Sequence, residues 1–188
     1  VDANQAQSPY PWQAGVIWDL ERAKRMNQKM HELGCYWLEE PRPRYNFDEL
    51  SELVSMNMTK ISGGENNTVV SDFHEMVNKN SYDILQPESM VMGGITPLIE
   101  IGEISKKYNK EIVPHHGGGD LGVVAHMHLL ATWNNAPYCE MLNDPPLSSY
   151  KNKFFIFNED LNVKDGIINV PNSPGLGVTI KEDLIIRE

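Results

Sequence analysis

Nothing in these 188 residues approaches the roughly 18 uninterrupted apolar residues that a membrane-spanning helix requires. Positive charge is scarce as well: 16 Lys and Arg stand against 26 Asp and Glu, for a net charge of −10. Nucleic acid and anionic membrane surfaces both attract a basic field, so neither is expected as a partner. A small anionic ligand stays compatible, because a bound metal ion reverses the local potential. Only two cysteines occur, Cys35 and Cys139, and neither has a CxxC partner or a histidine at zinc spacing. Two reduced thiols are therefore expected. The opening residues VDANQAQSPYPW contain neither a basic stretch nor an apolar one and do not read as a signal peptide. The expectation is a soluble, cytoplasmic protein.

The 40% hydrophobic content is enough for a sizeable core, and it is arranged as short β-like runs alternating with amphipathic helical segments. Strands are predicted at a stub around Val1 and at 35–40, 60–64, 83–88, 111–115 and 137–142. Helices are predicted over 18–34, 47–57, 71–80, 95–110 and 121–134, with Gly34 as a stop and Asp48, Ser71 and Thr96 as N-caps. This alternation is the signature of βα units in a parallel sheet. Six strands are more than half of an eight-stranded parallel barrel, which takes about 250 residues when whole. Because Val1 already lies in a strand, the chain is expected to be the C-terminal part of a longer protein. Residues 1–143 then form a partial barrel, and 144–188, rich in turn residues, form an arm that packs on the barrel or on a capping domain.

Three acids each close an apolar run: Asp2 in VDAN, Glu39 in YWLEEP and Glu65 in KISGGE. Carboxylates at the ends of separate strands are how a parallel barrel gathers oxygen ligands at its C-terminal rim, and the donor set suits a hard divalent cation, Mg2+ first. A single acid would more simply be a cap or a surface charge. Glu39 and Glu40 compete for one place, since adjacent strand residues point to opposite sides. His115 and His116 end the strand EIVPHH ahead of a Gly-rich loop at 117–120, where a histidine beside a metal-bound substrate would be a natural general base. His126 and His128 fall in an apolar helical segment and read as structural, and His31 and His74 read as helix-surface residues. Tyr10, Trp12 and Trp18 are expected to pack over the rim, with walling of a pocket as the alternative. Arg42 and Arg44 follow the second acidic strand; a solvated surface is the default for both, and contact with a distal substrate group the alternative.

Taken together and in order, VDANQ, WLEEP, GGE, DILQPExxxxGGIT and VPHH resemble the enolase superfamily, and within it the mandelate racemase and muconate lactonizing enzyme-like branch, over residues 1 to about 145. The resemblance implies an α/β fold, the C-terminal part of a TIM-like, modified (β/α)7β barrel beginning at its third strand. It implies Mg2+, with Mn2+ as second candidate, held by Asp2, Glu39 and Glu65. The superfamily's chemistry is removal of a proton α to a carboxylate, with the metal stabilising an ene-diolate. The implied base is His115, with His116 as the racemase-type alternative. Glu88 stands where the family keeps an Asp that orients the base, one methylene longer than the pattern. Glu140 matches an acid that hydrogen-bonds the substrate carboxylate. Asn4 matches a position that contacts substrate in the family, with a turn residue as the plain alternative; Glu40 is then a hydrogen-bonding carboxylate beside the ligand, and it and Arg42 complete the candidate substrate-binding set.

Muconate cycloisomerases, dipeptide epimerases and o-succinylbenzoate synthases carry a catalytic lysine on the strand before the glycine pair. Val91 holds that position here, and no lysine occurs between Lys79 and Lys106. The resemblance therefore favours an acid-sugar dehydratase acting on a small carboxylate substrate, as a homo-oligomer. A 2-hydroxy-acid racemase or epimerase is the alternative, and a catalytically inactive fragment that only binds metal is the reading from another class.

Overall fold

The computed structural model describes residues 1–6, 16–116, 120–143, 145, 146, 149 and 154–185. Four short strands, β1 (Trp37–Glu39), β2 (Lys60–Gly63), β3 (Ile84–Leu85) and β4 (Glu111–Ile112), form a parallel sheet in the order β1-β2-β3-β4. The stub extends it: the Glu39 N–H donates to Val1 O at 2.8 Å and the Ala3 N–H to Glu39 O at 2.9 Å, so Asp2 pairs with Glu39 in parallel. The helices are α1 (Leu20–Glu32), α2 (Phe47–Ser55), α3 (Val70–Asn78), α4 (Ser89–Met92), α5 (Ile95–Lys107) and α6 (Asp120–Leu130). Strand and helix alternate, as a parallel sheet demands.

The helices lay apolar stripes on the sheet. Leu50 and Leu53 of α2, Phe73 and Met76 of α3, and Leu98 and Ile101 of α5 join Leu38, Ile61 and Leu85 in one core, every one of them fully buried. Each such side chain contributes roughly 1.5–3 kcal/mol relative to exposure. Trp18 packs on the edge of this core, with the Arg22 guanidinium 5.1 Å over its ring, which fits the rim-packing expectation. Tyr10 and Trp12 lie outside the described residues. At the N-terminal end of the sheet Lys60 joins Glu111 and Tyr36 in a polar tie. A second core forms where Phe154 and Phe157 meet Val123, Val124 and Met127 of α6, with a small antiparallel hairpin of β5 (Val163–Lys164) and β6 (Ile167–Ile168) following.

Several boundaries differ from the sequence reading. The residues before α2, α3 and α5 are Asn46, Val69 and Gly94, none with a side-chain cap bond, and Asp48, Ser71 and Thr96 fall inside the first turn. An acid such as Asp48 remains favourable there against the helix dipole. Residues 137–142 form no ladder. Pro137 has no N–H to donate, the Ile112 N–H of β4 goes to Asn135 O ahead of the segment, at 3.2 Å, and Glu140 Oε2 accepts the His116 N–H beyond β4, at 3.1 Å. Val91, expected on a strand, sits in the four-residue helix α4, because the Glu88 carboxylate accepts the Met90 N–H and starts a turn there. Cys35 and Cys139 are both free thiols. Among the described residues no helix is long and apolar enough to cross a membrane.

The turn that carries Glu65 to the rim requires glycine twice. A Cβ on Gly63 would lie 2.7 Å from the Tyr82 ring, and one on Gly64, at φ +123°, would lie 2.9 Å from the Phe73 ring. Both rings are fully buried, so neither can swing away. Gly64→Ala combines overpacking with a backbone conformation that L side chains avoid, and is expected to lower stability in urea denaturation by about 1–3 kcal/mol.

Candidate active site and metal centre

The acids and histidines named by the sequence lie just past the ends of the parallel strands, where the chain turns from strand to helix. Asp2 is held by its neighbour: Oδ1 accepts the Asn4 N–H at 2.8 Å and Oδ2 accepts the Asn4 side-chain amide at 3.0 Å. Asn4 adopts φ 51°, so the strand does not continue through it and its amide is engaged by Asp2. Glu39 accepts the Trp37 indole N–H at 3.1 Å and is 5% exposed. Burial raises its pKa, the neighbouring Gln86 and Trp37 oppose this, and the charge of Asp2 raises it further. Glu65 is raised by burial and by the charges of Glu39 and Asp2, against the pull of His115.

Glu40 does not obey simple strand alternation. At φ 45° it leaves the pleat, and its buried carboxyl is pushed up to about 8 by burial and then by the charge of Glu65, with Arg44 opposing. The solvated surface taken as the default for Arg42 and Arg44 is not what the structure has: both are buried, at 8% and 7% exposure, and Arg42 is bound to Glu49 on α2, through Nε at 2.7 Å and Nη2 at 2.6 Å. Arg44 is the arginine whose charge reaches the acids, and its Nη1 donates to Asn66 O at 2.9 Å. Two positions separate the arginines, and sequence alone offers no reason to prefer the second.

His115 stands between two carboxylates, with Nε2 3.1 Å from Glu65 Oε2 and Nδ1 3.5 Å from Glu88 Oε2. The longer Glu side chain thus comes within ion-pair reach of the base. Burial works against charge on His115, yet Glu88 and then the charges of Glu65, Glu140 and Glu39 bring it up to about 9. Burial pushes Glu88 upward, and the contact with His115, the Met90 N–H and His126 outweigh it, leaving a net lowering. His116 is 2% exposed, and its backbone N–H holds Glu140. Burial and the charge of Glu39 raise Glu140 to about 7, so this carboxyl can keep a proton near neutral pH.

His126 accepts the Ser89 N–H at its Nε2 and touches Glu88 at 3.5 Å, and burial drives its pKa down to about 4. The expected structural role holds, and the contact with Glu88 is new. His128 likewise meets Leu176 O at 3.0 Å, while His31 and His74 are exposed. Gln86, fully buried beside Glu39, was missed, although it shares a strand face with Glu88 by the two-residue period.

Three carboxylates with room for further oxygen ligands suit Mg2+. Their oxygens do not all close to within 4.8 Å; among the described residues the group that does so is Glu88, His116 and His126. The physical reason is charge: three acids without a counterion repel, and His115 draws Glu65 toward itself.

These shifts set a pH dependence. The folded values of Glu140 (about 7), Glu40 (about 8) and His115 (about 9) all lie above their ordinary ones. Each group therefore binds its proton more tightly when folded, and that stabilisation is lost as pH rises. His126, depressed to about 4, costs stability only below its ordinary value of 6.5. Between pH 6.5 and 9 the melting temperature in chelator is expected to fall, and Mg2+ is expected to reduce the fall; differential scanning fluorimetry checks both.

Comparison with known proteins agrees with this geometry. Residues 1–184 match the family described as enolase C-terminal domain-like. L-talarate/galactarate dehydratase of Salmonella typhimurium is 30% identical over 182 residues, covering 97% of this chain and 40% of that protein. Arabinonate dehydratase of Saccharolobus solfataricus is 29% identical, covering 90% of this chain and 44% of the relative. The crystal structure of L-talarate dehydratase from Polaromonas sp. JS666, complexed with Mg and L-glucarate, superposes with a TM-score of 0.77 at 27% identity, over 97% of this chain and 44% of that one. The chain thus spans less than half the length of these relatives. With strand-end acids, a paired histidine and a family match along almost its whole length, it belongs to the enolase C-terminal domain-like family, as the C-terminal part of a mandelate racemase and muconate lactonizing enzyme-type barrel.

Proposed function

We propose that the complete protein is a Mg2+-dependent acid-sugar dehydratase, and that this chain supplies its cation site and its histidine base. The observation that carries the reading is His115, suspended between Glu65 and Glu88 at the rim. The relatives named for talarate, galactarate and arabinonate support an acid sugar as substrate class. Mg2+ held by Asp2, Glu39 and Glu65 would neutralise charge on the substrate carboxylate as the α-proton leaves.

The chain's own residues do the rest. A C–H next to a carboxylate is too weakly acidic for an unassisted base at neutral pH, so the base must be close, oriented and neutral at the moment of transfer. Glu88 fixes the ring through Nδ1, leaving Nε2 to receive the proton. In the absence of a cation, the surrounding acids hold His115 protonated; compensation of Glu65 and Glu39 lowers its pKa toward the working range. The ene-diolate then re-forms a carbonyl-conjugated bond as the β-hydroxyl departs, and the proton on His115 leaves with it as water. Glu140, protonated near pH 7, donates a hydrogen bond to the substrate carboxylate and strengthens it as negative charge grows.

In the full-length protein His115→Asn is expected to lower turnover by about 10²–10⁴-fold. The assay is a screen of acid sugars for 2-keto-3-deoxy acid formation, run beside α-deuterium exchange. Exchange without net elimination would move the assignment to the racemase reading. In the present chain, Glu39→Gln and Glu65→Gln are each expected to weaken Mg2+ binding by at least tenfold in calorimetry, and undiminished binding would remove the three-carboxylate site.

A further inference from the structure

Behind the His115 contact lies a second cluster with a different set of donors. Glu88, His116 and His126 bring one carboxylate oxygen and two ring nitrogens to within 4.8 Å of one another, and all three residues are buried. Glu88 Oε1 is 3.5 Å from His126 Nε2. That nitrogen accepts the Ser89 N–H at 3.1 Å, so it carries a lone pair rather than a proton. The proton is then on His126 Nδ1, which is buried without a hydrogen-bond partner. Facing the cluster, α6 presents Gly122, where a Cβ would stand 3.5 Å from both Glu88 Oε1 and Ser89 Oγ. A space remains where a larger side chain would crowd the carboxylate.

We propose that Glu88, His116 and His126 form a site for a borderline transition cation, Zn2+ foremost, distinct from the oxygen-only rim. Two imidazoles and a carboxylate are a ligand set that zinc uses, whereas an all-carboxylate set favours Mg2+. Tetrahedral ligation places ligand atoms roughly 3.3 Å apart, close to the present separation of Glu88 and His126. The cation replaces the Ser89 N–H at His126 Nε2 and takes Glu88 Oε1, leaving Oε2 to face His115. The site stands on its own residues and does not depend on the dehydratase reading.

The test is calorimetric titration of the chain with Zn2+ in saturating Mg2+, with Co2+ as a spectroscopic probe. One Zn2+ per chain is expected, unaffected by Mg2+, weakened at least tenfold by His126→Gln and by Glu88→Gln, and retained by Glu39→Gln. The Co2+ form should show visible bands of a four-coordinate ion without thiolate charge transfer, which excludes Cys35 and Cys139 as ligands. Circular dichroism checks each variant; should His126→Gln unfold, His116→Gln and the wild-type Co2+ spectrum decide. The proposal is overturned by no Zn2+ uptake in Mg2+, by Zn2+ that Mg2+ displaces and Glu39→Gln abolishes, or by uptake undiminished in both histidine variants. Loss of Mg2+ binding in Glu39→Gln strikes only the rim, so the two readings fail separately.

Discussion

Crowding of negative charge at one end of a parallel sheet is the constraint on which the rest of this structure depends. Asp2, Glu39, Glu40, Glu65, Glu88 and Glu140 all lie at or near that end, and Glu39, Glu40 and Glu88 are buried there. Buried carboxylates without partners are costly, and the molecule answers in three ways. Some hold protons, as the raised Glu40 and Glu140 do. Others take hydrogen bonds from Asn4, Trp37 or backbone N–H groups. The rest share His115, which becomes the local cation when no metal is present.

This makes the charge of His115 a function of its surroundings. Uncompensated acids hold its proton, and compensation of those charges would release it. Glu88, one methylene longer than the resemblance would lead one to expect, still brings a carboxylate oxygen to 3.5 Å from Nδ1.

The strand-end acids and the order of the parallel sheet were legible because each follows from local patterning. An apolar run ending in a carboxylate has one natural place on such a sheet, and Asp2, Glu39, Glu65 and His115 occupy it. Residues whose placement depends on a turn were not legible. Glu40 left the pleat through a left-handed backbone, Asn4 did the same, and Arg42 and Arg44, read alike from the sequence, turned to different partners, Glu49 and Asn66. The run at 137–142 has the composition of a strand, but Pro137 and the long-range contact of Glu140 with the His116 N–H decide its path. His126 looked like any histidine in an apolar helix, because its contact with Glu88 spans 38 residues of sequence and is set by how α6 docks.

The polar tie at the opposite end of the sheet has a mechanical meaning. Lys60 begins β2 and Glu111 begins β4, so their contact passes over β3, and Tyr36 adds the approach to β1. A link that skips a strand is a chord drawn across an arc. It fixes how sharply the strands curve, and hence how far apart their far ends open. The spacing of carboxylates at the rim is therefore set partly by three residues that never meet a substrate.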